Sequence, residues 1–139
     1  MAMFVRKLAI TLLLFFNGSS AIYGGFTLMK HPDGSAMQFP PQLLERIPFH
    51  DYFIPGLILF SILGIGSIVA VVLLFARSKW YTYAAMAVGC ANIIWIITQI
   101  AMIRELSFLQ GVYFAIGAVL LVLGAMEQRL QRFYSIGKY

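Results

Sequence analysis

Apolar residues crowd into four stretches, residues 8–29, 55–76, 81–103 and 106–126, and none of the four contains an Asp, Glu, Lys, Arg or His. A helix needs roughly 20 residues to cross about 30 Å of hydrocarbon, and each stretch is that long. The pattern predicts an all-α fold, an integral membrane bundle of four transmembrane helices formed by residues 1–139 as a single membrane domain. Between the first two stretches lies the longest polar segment, an outer loop at 30–54. After the fourth comes a tail, 127–139, and over 126–139 Met126, Leu130 and Phe133 share one helical side with Arg129 and Arg132 beside them. That pattern predicts an amphipathic segment lying along the cytoplasmic surface.

Within the stretches the polar positions are few and neutral. They are Asn17, Ser19 and Ser20 in the first, Ser61 and Ser67 in the second, Asn92, Thr98 and Gln99 in the third, and Gln110 in the fourth. Asn92, Trp95 and Gln99 fall at i, i+3 and i+7, on one helix face. Amides in lipid need partners, and two readings follow. They fix helix register by interhelical hydrogen bonds, or Asn17, Asn92, Trp95 and Gln99 line a pocket for a small amphiphile. Small residues at 66/70, 85/89 and 111/115 mark faces where backbones approach, within one chain or in a homo-oligomer.

Composition supports the membrane reading: 61% of residues are hydrophobic and 11% charged, against about 45–50% and about 25% in soluble domains. The net charge of +5 follows topology and not a nucleic-acid partner. Arg6, Lys7, Arg77, Lys79, Arg129, Arg132 and Lys138 fall on one face, with Lys30, Arg46 and Arg104 on the other. The positive-inside rule then puts both termini in the cytoplasm. Membrane lipids are the expected partners, the basic face meeting anionic headgroups. Trp80, Tyr81 and Tyr83 are expected in an inner aromatic belt, and Tyr52 and Phe53 at headgroup depth outside. A single cysteine, Cys90, excludes dithiol chemistry.

The N-terminus also fits a secretory signal peptide, with Ser19 and Ala21 at the processing positions. Apolar character resumes after Ala21, which favours a retained anchor. All five prolines lie from Pro32 to Pro55. His31-Pro32-Asp33-Gly34-Ser35 reads as a turn, residues 41–47 as a short interfacial helix, and Pro55 as the first residue of the second span. His31, Asp33, His50 and Asp51 are candidate metal ligands only by residue type, because their spacing matches no ligand signature. Solvated loop residues, turn formers and helix caps explain them better, so no metal or cofactor is expected.

Pro32-Asp33-Gly34, the run from Pro48 to Gly56 and Trp95-Ile96-Ile97-Thr98-Gln99 together resemble a pattern in small uncharacterised four-helix membrane proteins of bacteria. The resemblance implies a bacterial inner membrane and brings no activity. Three function classes remain. The first is a non-enzymatic accessory subunit or structural component of the membrane. The second binds or passively moves a small lipophilic molecule in an uncharged intramembrane pocket. The third is an interfacial enzyme using His50 and Asp51 as an acid/base pair.

Overall fold

The computed structural model describes residues 2–33, 51–103 and 108–136, with backbone alone for 102, 103 and 134–136. Of these residues, 91% are helical and none is in a strand. Four helices are long and apolar enough to cross a membrane. They are α1 (Ala2–Lys30), α2 (Phe53–Phe75), α3 (Tyr81–Ile103) and α4 (Phe108–Ile136).

Their apolar side chains point outward as much as inward. Phe15, Tyr23, Phe75 and Ile94 are all more than 60% exposed, the reverse of a soluble protein and the arrangement lipid permits. The hydroxyls inside the helices bond the carbonyl one turn back. Thr11 Oγ1 donates to Lys7 O at 2.8 Å, Thr27 Oγ1 to Tyr23 O at 2.7 Å, Ser61 Oγ to Leu57 O at 2.7 Å and Thr98 Oγ1 to Ile94 O at 2.7 Å. No helper from another helix is needed for these groups.

The bundle is two tight pairs, α1 with α2 and α3 with α4, closed by contacts of α2 with α3 and of α1 with α4. Glycine makes each pair tight. A Cβ added at Gly25 would stand 2.6 Å from both Gly56 O and Phe60 N, and one at Gly89 would stand 2.6 Å from Gly117 O. The small-residue spacings locate only part of this. Ala85 and Gly89 do lie in the α3/α4 seam, but Gly66 meets nothing nearer than Val88 at 3.7 Å and Gly111 has nothing within 4 Å. Spacing identifies a face of one helix, not the face its neighbour covers.

Helix α2 is α-helical over Phe53–Ile58, π-helical over Leu59–Ile65 and α-helical again over Gly66–Phe75. The π segment has a packing reason. Gly56, Phe60 and Gly64 all touch α1, yet a four-residue repeat drifts roughly 40° per step around an α-helix that turns about 100° per residue. The wider π turn offsets that drift and keeps the three on one face. Pro55 stands in the first turn, two residues inside the start at Phe53, where its missing N–H has no acceptor to serve.

The α2–α3 turn is a Schellman closure. Ser78 N donates to Leu73 O at 3.0 Å and Arg77 N to Leu74 O at 3.1 Å, and Arg77 takes φ +58°, the left-handed position that glycine ordinarily fills. At the other end Tyr52 N donates to Pro32 O at 2.8 Å, joining the two ends of the outer connection. The interfacial helix expected at 41–47 lies outside the described residues, as does His50.

The fourth helix departs from expectation. No glycine or proline interrupts it between Met126 and Ile136, and α4 continues through the segment expected to turn along the surface. The apolar core, Ile10, Leu14, Ala70, Val71, Tyr81, Ala85, Val88, Ile116 and Leu120, sits between mid-bundle and this end.

Candidate functional site

Two polar groupings lie inside the bundle. The first is at mid-span, where all four helices meet. Asn92 Nδ2 donates to Asn17 Oδ1 at 2.7 Å and, weakly, to Tyr113 O at 3.4 Å; Asn17 Nδ2 donates to Ser67 Oγ at 3.0 Å; Ser67 Oγ donates to Leu63 O at 2.6 Å. Turning one amide over alone would face oxygen with oxygen or N–H with N–H, so the two side chains are matched to each other. Asn17, Ser67 and Asn92 are each at most 1% exposed.

One acceptor is left over. Asn92 Oδ1 has no hydrogen-bond partner and is covered almost completely, so no water-sized space adjoins it. Trp95 and Gln99, one and two turns further along α3, are half-buried, and Gln99 makes no hydrogen bond among the described residues. The structure therefore joins Asn17 to Asn92 directly and leaves Trp95 and Gln99 outside the relay. Ser67, the group that completes it, is missing from the four residues expected. Its signal was present: a hydroxyl at mid-span of α2, level with Asn17.

The second grouping is at the end where the chain termini converge. Glu127 is 2% exposed and is held by Arg6 Nε on one carboxylate oxygen and by Tyr81 Oη, donating at 3.3 Å, on the other. Lys7 Nζ lies 5.7 Å from the centroid of the Tyr81 ring, and Thr82 Oγ1 donates to Gln128 Oε1 at 2.6 Å. Glu127 is 19 residues beyond Phe108 on α4, about 28 Å along the axis. The apolar run stops at Met126, but the helix carries Glu127 onto its inward face.

Tyr81 moves with it, from the expected aromatic belt to the core, while Trp80 and Tyr83 stay exposed with ring centroids 5.5 Å apart. Tyr52 is likewise buried, 6% exposed, and burial raises its phenol above the ordinary value.

Of the four metal candidates, His31 and Asp33 are exposed and Asp51 is half-buried. Asp51 Oδ1 accepts the Phe53 N–H at 3.0 Å, so this carboxylate helps to start α2. Among the described residues no three His, Cys, Asp or Glu side chains converge. Cys90 is exposed on the outer surface of α3. No family model, curated protein or solved structure matches the chain.

Proposed function

We propose that the chain is a non-enzymatic integral membrane protein, an accessory subunit or structural component of a bacterial inner membrane, with both termini cytoplasmic. The observation that carries this reading is the closure of the interior. The mid-span amides are consumed by one another and by Ser67, and the remaining acceptor is packed too closely for water. Such a relay holds four helices in register. Contact with other molecules is left to the broad apolar exterior. The distribution of cations supports the orientation: Arg6, Arg77, Lys79, Arg129 and Arg132 sit at the end shared by the termini.

One observation favours a second reading. Gln99 and Trp95 are half-buried on the face of α3 that carries Asn92, and the Gln99 amide is unengaged. An amphiphile with a polar head would find a hydrogen-bonding group and an aromatic ring there.

Native mass spectrometry on protein extracted mildly from its own membrane tests both. Accessory function predicts a stoichiometric protein partner. A retained amphiphile released by Gln99→Leu replaces that reading with the second. A bare single chain overturns the accessory-subunit reading.

A further inference from the structure

Arg6 is engaged through only one of its edges. Its Nε holds Glu127, the side chain keeps 20% of its surface exposed, and its two terminal Nη groups carry no hydrogen bond among the described residues. A guanidinium pinned in this way presents a second edge of parallel N–H donors, the geometry that takes two oxygens of a phosphate. The pinning also fixes its orientation, which a free surface arginine lacks.

The surroundings favour an anion. Six described cations, Arg6, Lys7, Arg77, Lys79, Arg129 and Arg132, share this end with one described carboxylate, Glu127, already held by Arg6 and Tyr81. An ammonium-bearing head would meet this excess with repulsion.

The flank above Arg6 is apolar. Helical periodicity places Ala9, Leu13 and Phe16 of α1, three, seven and ten residues beyond Arg6, on one side of the α1/α4 seam and Val119 and Met126 of α4 on the other. Ala9 and Leu13 are half-buried and the other three at least 43% exposed. The Phe16 ring stacks on Tyr113 across the seam with centroids 6.2 Å apart, which gives the furrow a floor. An acyl chain laid there begins at the arginine and runs toward mid-bundle.

We infer that the α1/α4 seam binds an anionic glycerophospholipid, its phosphate on the free Nη edge of Arg6 and an acyl chain along Ala9, Leu13, Phe16, Val119 and Met126. The inference rests on the reading that the helices span a membrane. A chain that does not insert into bilayers removes that reading, whereas an inserted chain without lipid preference removes only this site.

The test uses the full chain in nanodiscs of equimolar phosphatidylglycerol and phosphatidylcholine, with retained lipid read by native mass spectrometry. Wild type keeps phosphatidylglycerol in preference. Arg6→Lys, which still pairs with Glu127 but loses the fork, reduces that preference about fivefold. Val119→Trp, which fills the furrow and leaves Arg6 intact, reduces it as well and decides the question if Arg6→Lys is not helical by circular dichroism. Lys30→Gln, at the opposite end of the bundle, leaves the preference unchanged. Equal retention of the two lipids, no change in Val119→Trp, or an equal loss in Lys30→Gln overturns the site. Displacement by millimolar glycerol phosphate overturns the lipid as occupant and assigns the arginine to free phosphate.

Discussion

Replacing the amides one at a time and together tests whether they hold the bundle. Asn17 stands in the middle of the relay, so Asn17→Leu removes two bonds and leaves the buried Asn92 Nδ2 group with only its weak contact to Tyr113 O. Interhelical hydrogen bonds in bilayers are worth about 0.6 kcal/mol on average and up to roughly 1.7. A stranded buried donor adds about 1–3 kcal/mol. The expected loss is therefore about 3 kcal/mol. Asn92→Leu removes one strong bond and strands Asn17 Oδ1, but it also eliminates the unpartnered Oδ1 of Asn92, and the two stranding costs offset each other. About 1 kcal/mol is expected. In the double variant neither amide is left to be stranded and the shared bond is lost only once, so the combined loss falls short of the sum by about 4 kcal/mol. The assay is reversible unfolding in mixed detergent micelles, followed by circular dichroism, on wild type and the three variants. Additive losses, or a larger loss from Asn92→Leu than from Asn17→Leu, would refute the relay as drawn.

Three other expectations follow from single positions. Gly25→Ala brings a methyl group to 2.6 Å from backbone atoms of α2 and should lower thermal stability by at least about 2 kcal/mol, because backbone cannot step aside; Gly111→Ala, with open space around it, should be silent in the same melt. Arg77→Gly relieves a left-handed backbone and should raise stability by about 1 kcal/mol over Arg77→Ala, read as a higher melting temperature in detergent. At the terminal end Arg6→Ala leaves Glu127 buried without a countercharge and should cost about 3 kcal/mol. Glu127→Gln should cost less, since the half-buried Arg6 can extend toward headgroups; the reverse order in denaturant titrations would count against a buried carboxylate.

The existence of the four long helices was legible because each holds some 20 residues without charge, although α1 and α4 run well past their apolar stretches. Pairing was not legible to the same degree. The face carrying Asn92, Trp95 and Gln99 is visible in the spacing, but the placement of Asn17 and Ser67 opposite Asn92 depends on which helices are neighbours and how high each stands. Gly111 shows the same limit, since its small-residue spacing equals that at Gly89 while its surroundings are empty. The burial of Glu127 was hidden for a different reason. Hydropathy ends a helix at the first charge, whereas the backbone has no cause to stop there, and a carboxylate one residue past the apolar run still falls on the inward face. The π segment of α2 and the left-handed Arg77 have no sequence signal of the usual kind, because the first answers a packing demand from α1 and the second occupies a glycine position without glycine.

The proposed function requires the four helices to cross a bilayer with the chain termini inside. Cysteine accessibility measures this directly: in a Cys90→Ala background, Asp33→Cys and Ser78→Cys are exposed in turn to a membrane-impermeant maleimide in intact cells and in lysates. The account predicts labelling of Asp33→Cys in intact cells and of Ser78→Cys only after lysis. Labelling of both positions from the same side would contradict it.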